Sequence, residues 1–143
     1  MRMSSLAIGL MLVACVSCGH GRLRNSFADV ASRATLIEIK HTADRDYPGG
    51  VSIARFHLRY DPHVFSALAS ARPAGRPTGA LTGVKLVLCE NTRTYDIYDY
   101  EPTTGSIHVG EEWLQVPEDL RQRFKKIITD ARNANLPHRR VLR

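Results

Sequence analysis

The chain has 143 residues, 20 Lys and Arg against 14 Asp and Glu, a net charge of +6 and a pI near 9.6. That length suits one domain whose core needs no metal or disulfide staple. A composition 43% hydrophobic and 24% charged excludes disorder throughout, and beyond the first apolar run no segment is long enough to cross a bilayer.

The N-terminal run comes first. Arg2 precedes Leu6 to Ala14 (LAIGLMLVA), which is too short for a stable membrane span and suits the core of a signal peptide. It ends in Leu12-Val13-Ala14-Cys15, which resembles the lipobox of bacterial lipoproteins. The resemblance covers residues 1–15 only. It implies a signal peptide over 1–14 and lipidation at Cys15, and says nothing about the domain behind them; the residues that follow read as a lipidated tether over 15–33 and a single α+β domain with a basic C-terminal tail over 34–143. Val16, rather than Asp, follows the cysteine. In a Gram-negative cell this resembles the class sorted to the periplasmic face of the outer membrane. In a Gram-positive cell the same motif implies the outer face of the plasma membrane. Several acyl chains make such anchoring effectively permanent.

Asn25 is placed to cap a brief helix over 26–32. Ala34 to His41 alternates Leu36, Glu38 and Lys40 against Thr35, Ile37 and Ile39, which predicts a strand. Thr42 to Gly50 reads as a turn. Val51 to Tyr60 predicts a half-buried strand with Ala54, Phe56, Leu58 and Tyr60 inward, and Arg55, His57 and Arg59 outward. Asp61-Pro62 reads as an N-cap and first helical residue, opening a short helix with Val64, Phe65 and Leu68 inward. The two prolines and two glycines of Arg72 to Gly79 predict a loop.

Val84 to Cys89, Thr92 to Tyr100 and Ser106 to Val109 then predict an antiparallel meander, with turns at Glu90-Asn91 and Pro102 to Gly105. Trp113 is expected as a core or rim anchor. Pro117, Glu118 and Asp119 open the last helix. Its apolar face carries Leu120, Phe124, Ile127, Ile128 and Ala131, and Asn133 to Pro137 is expected to stop it. The sum is an α+β fold: an antiparallel sheet of about five strands, a short helix and a C-terminal amphipathic helix packed on it.

Of the three cysteines, Cys15 is assigned to lipid by the resemblance. Cys18 and Cys89 remain, either as a disulfide in an oxidising compartment or with Cys89 as a small buried hydrophobe. Cys15 to Cys18 spells CxxC, but it falls in the cleavage region and no second ligand pair follows it.

Charge is segregated. Glu90 to Asp119 holds eight acids and one base, whereas Leu120 to Arg143 holds eight bases and one acid. The two segments can pack together and cancel. Alternatively, Arg121, Arg123, Lys125, Lys126, Arg132, Arg139 and Arg140 can meet an anionic surface, where each basic residue near a membrane contributes about 1 kcal/mol. Nucleic acid is disfavoured, because the aromatics do not interleave with the bases as a stacking platform requires.

No HExxH, GxSxG, P-loop or dinucleotide-binding turn occurs. His41, Asp44 and Asp46, and the His57, Asp61 and His63 corner, are weak candidates for a metal site and a His/Asp pair. Tyr95, Asp96, Tyr98, Asp99 and Tyr100 offer rings beside carboxylates, suited to a sugar or a basic protein. The sequence therefore predicts a binding protein of the bacterial envelope, with no catalytic residue, metal or cofactor assigned. Its expected partners are the membrane, through Cys15, and an envelope protein or the cell wall. The alternatives are a periplasmic inhibitor or immunity protein that blocks a hydrolase or toxin, and a small hydrolase.

Overall fold

The computed structural model describes residues 26–42, 50–79, 81–91 and 93–139. They form one antiparallel seven-stranded sheet and three helices. The strands are β1 (Leu36–His41), β2 (Val51–His57), β3 (Arg72–Ala74), β4 (Val84–Glu90), β5 (Arg93–Glu101), β6 (Ser106–Val109) and β7 (Glu112–Gln115). The helices are α1 (residues 26–33), α2 (Pro62–Ala69) and α3 (Glu118–Arg139). The α+β class and the antiparallel sheet match the sequence reading. The strand count exceeds the expected five because β3 and β7 were not foreseen.

The sheet order is β2-β1-β4-β5-β6-β7-β3. Alternation along each strand sends one set of side chains to each face. Ile37, Ile39, Leu86, Leu88, Tyr98, Tyr100, Ile107 and Leu114 share a single buried cluster with residues of all three helices. The helices therefore all pack on one face. Phe27, Val30 and Ala31 come from α1, Val64, Phe65 and Leu68 from α2, and Leu120, Phe124 and Ile128 from α3. Phe124 lies 5.7 Å from Tyr100 and 5.5 Å from Phe56, ring centre to ring centre. Burying a side chain of this size contributes about 1.5–3 kcal/mol.

Several expectations need correction. Residues 26–33 belong to the domain rather than to the tether, since Phe27 and Ala31 are in its core. Strand β2 ends at His57, and a turn turns Leu58 and Tyr60 outward; they are 39% and 72% exposed. Asp61 occupies the N-cap position of α2 without a side-chain capping bond. Arg72 to Ala74 is a strand despite Pro73, which is tolerated because β3 lies at the sheet edge. Helix α3 runs through the expected stop to Arg139. The turn expected over Thr42 to Gly50 falls largely outside the described residues, as does Asn25.

Candidate functional site

The face opposite the helices has no helix packed on it among the described residues. Register places its side chains in transverse rows. Lys40, Lys85, Asp99, His108, Trp113 and Ala74 are successive partners across six strands. A second row runs Arg55, Glu38, Val87, Ile97. Lys85 and Asp99 form an ion pair. Glu38, only 7% exposed, lies between Arg55 (3.6 Å) and Lys40 (3.8 Å), and its Oε1 has no hydrogen-bond donor. Ile97 stands 57% exposed among these charges. Where a sheet face is left open, alternation of this kind is expected, but an exposed isoleucine at its centre is not required by folding.

The connection from β3 to β4 must pass β7, β6 and β5. Gly79 approaches Glu101, and Leu81 stands with His108 and Trp113 around a shallow cleft of about 430 Å³. The imidazole of His108 stacks on the Trp113 indole at 4.5 Å. This connection explains why Trp113 is buried on an otherwise uncovered face.

The expected partner-binding set is divided by the fold. Strand β5 lies between β4 and β6, so it is not an edge. Tyr98 and Tyr100 do share a face, as expected, but it is the core face, and both are buried. The Tyr98 hydroxyl donates to Asp96 Oδ2 at 2.9 Å. Burial and, secondly, this bond to Asp96 push the Tyr98 phenol well above its ordinary range. Burial, then the Glu101 charge, does the same to Tyr100, with Arg121 opposing. Both tyrosines are thus structural. Asp96 remains exposed, Asp99 is paired with Lys85, and Tyr95 lies on β5.

Glu101 is a buried carboxylate with a local purpose. It accepts from the backbone N–H of Thr103 (2.9 Å) and Thr104 (2.8 Å) and from Thr104 Oγ1 (2.6 Å). Burial alone would raise its pKa, but these bonds outweigh it and hold the carboxyl below its ordinary value. It fixes the turn between β5 and β6.

The basic residues of α3 have different surroundings. Arg121 bonds Glu118 at 2.5 Å and lies over Gly105, and Lys126 bonds Asp130 at 2.6 Å. Arg123 bonds Asp61 at 2.9 Å and His63 Nε2 at 2.6 Å, and its guanidinium sits over the Phe56 ring. Asp61 and His63 are therefore joined through Arg123 rather than to each other. Lys125 and Arg132 are exposed, Arg139 ends the helix, and Arg140 lies outside the described residues. Arg121 lies over Gly105 of the meander, and the ion pairs of the helix among the described residues are with Asp61 or within α3.

Cys89 is buried on the uncovered face, in no disulfide among the described residues, and Leu36 is its register partner. Cys15 and Cys18 lie outside the described residues, as do Asp44 and Asp46.

A second cleft, of about 460 Å³, escaped the sequence reading. Leu36, His57, Leu58, Arg59 and Tyr60 line it together with Thr35 and Asn91, where β2 ends. Its signal in the sequence was the alternation over Val51 to Tyr60, which the turn after His57 interrupts. Comparison of the chain with known protein families, curated proteins and solved structures finds no match for it.

Proposed function

We propose that this is a lipid-anchored protein of the bacterial envelope that acts by binding a protein or cell-wall partner. The observation that carries the reading is the apolar run Leu6 to Ala14, ending in Leu12-Val13-Ala14-Cys15. Cys15 is the lipid attachment site in this reading, and 1–14 is the signal peptide. In a Gram-negative cell, Val16 directs the chain to the periplasmic face of the outer membrane. An eleven-residue link from Cys15 to the start of α1 spans at most about 40 Å, so the domain works close to its membrane. The uncovered sheet face supports binding as the activity, because Ile97 offers apolar area between fixed charges.

Fractionation of cells that express the chain and its Cys15→Ser variant tests this reading. The native chain is expected in the membrane pellet, extracted by detergent and not by high salt. The variant is expected to lose the lipid and, with it, detergent-dependent extraction. Equal salt extraction of both forms would overturn the anchor.

A further inference from the structure

The end of β2 combines three features that nothing in the fold requires. Strand β2 is terminal in the sheet order, so its outer edge has no strand partner among the described residues. It is a seven-residue strand, whereas the opposite edge, β3, has three residues and a proline. Long edges are normally shortened, bulged or covered; β2 carries one bulge, at Ile53, and its regular stretch Ala54–His57 beyond it is the open template for strand addition. Next, the 460 Å³ cleft opens where β2 ends, walled by Leu36 and Leu58 and by Tyr60, the most exposed large apolar side chain described.

The third feature is charge. Arg55, His57 and Arg59 stand exposed along the strand and the turn that follows it. Of the acids on the adjoining elements, Asp61 is bonded to Arg123, and Glu38 lies against Arg55 and Lys40, so His57 and Arg59 are the basic groups left beside the cleft. The rim is therefore basic around an apolar hollow.

We propose that this corner docks an extended acidic segment of a partner protein, added as a strand along β2, with an apolar side chain seated in the cleft. Backbone hydrogen bonds along the edge supply affinity, and the cleft and basic rim supply specificity. The cleft is of the size that holds a single large side chain with room to spare. The inference rests on the reading of the chain as a binding protein and is independent of the lipid anchor.

The test uses the purified full chain in mild detergent and two labelled hexapeptides. One alternates glutamate with leucine, and the other alternates lysine with leucine. Fluorescence anisotropy gives the affinities, and amide hydrogen exchange gives the location. The acidic peptide is expected to bind saturably and to slow exchange in Val51–His57 but not in Arg72–Ala74. Arg59→Glu, and separately Tyr60→Ala, should each weaken binding about tenfold or more; both side chains are exposed, so the fold is retained. Three results would overturn the proposal: no saturable binding of the acidic peptide up to about 1 mM, equal binding of the lysine peptide, or slowed exchange confined to other elements. Sedimentation of the same chain with isolated envelope, run in parallel, separates loss of this site from loss of binding as such.

Discussion

Arg123 on α3 and Asp61 at the start of α2 are joined by an ion pair of 2.9 Å between residues 62 positions apart in sequence. The same guanidinium reaches His63 at 2.6 Å and covers Phe56. One side chain thus ties two helices and the edge strand together. Arg123→Ala is expected to destabilise the domain by about 1–2 kcal/mol, from a partly exposed ion pair and a cation–π contact. Arg123→Lys should recover only part of that, since an ammonium cannot serve both partners as the guanidinium fork does. Urea unfolding of the three proteins decides it, and a Lys variant as stable as the native chain would contradict the tie.

Glu101 sets a pH dependence with a definite sign. Its folded pKa lies below the ordinary value, so its contribution is present above the unfolded pKa and is lost as pH falls through the folded one. Stability should therefore decline on acidification below about pH 4–5, where carboxylates begin to protonate. Glu101→Gln should cost about 1.5–3 kcal/mol near neutrality, the range for hydrogen bonds to a charged group, and should flatten the acid decline. Thermal unfolding at a series of pH values checks both effects; an unchanged acid slope in the variant would contradict this role.

Tyr100 and Tyr98 should respond differently to removal of the hydroxyl. The buried Tyr100 hydroxyl has no hydrogen-bond partner among the described residues, so Tyr100→Phe should be neutral or stabilising by up to about 1 kcal/mol. Tyr98→Phe removes the bond to Asp96 and should cost about 1 kcal/mol. Neither variant should alter partner recovery from envelope extracts. A large loss of recovery with an intact fold would return these rings to the binding surface.

Gly105 shows where the backbone itself is constrained. Its φ is +72°, and a Cβ there would lie 2.8 Å from Arg121 Cγ. Gly105→Ala combines left-handed strain with displacement of that side chain, a cost of about 1–2 kcal/mol. Pairing it with Arg121→Ala should recover the steric share and leave the strain, which denaturant unfolding of the single and double variants measures.

The meander was legible because turns at Glu90-Asn91 and Pro102 to Gly105 bracket alternating segments, and α3 because its apolar residues keep helical spacing. Strands β3 and β7 were not. Three and four residues are too few to show a period, and Pro73 reads as a breaker unless the strand is known to be an edge. The sharing of one face by Asp96, Tyr98 and Tyr100 could be read from alternation. Which face would be buried could not, because that depends on the strands lying either side of β5. The charge runs do not reveal pairing, for a related reason. A run records how many bases a helix carries, whereas the partners of Arg123 come from residues more than fifty positions away. The cleft at the end of β2 likewise depends on where the turn after His57 folds, which alternation alone does not reveal.

The lipid anchor proposed at Cys15 is tested most directly by the intact mass of the protein extracted from membranes, measured with and without reduction. The expected mass is that of Cys15 to Arg143 plus acyl chains, and Cys15→Ser should lack the acyl mass. A mass unchanged by reduction would leave Cys89 unpaired, whereas a gain of about two daltons would indicate its pairing with Cys18. An unlipidated mass, whether of the full chain or of one cleaved elsewhere, would contradict the claim.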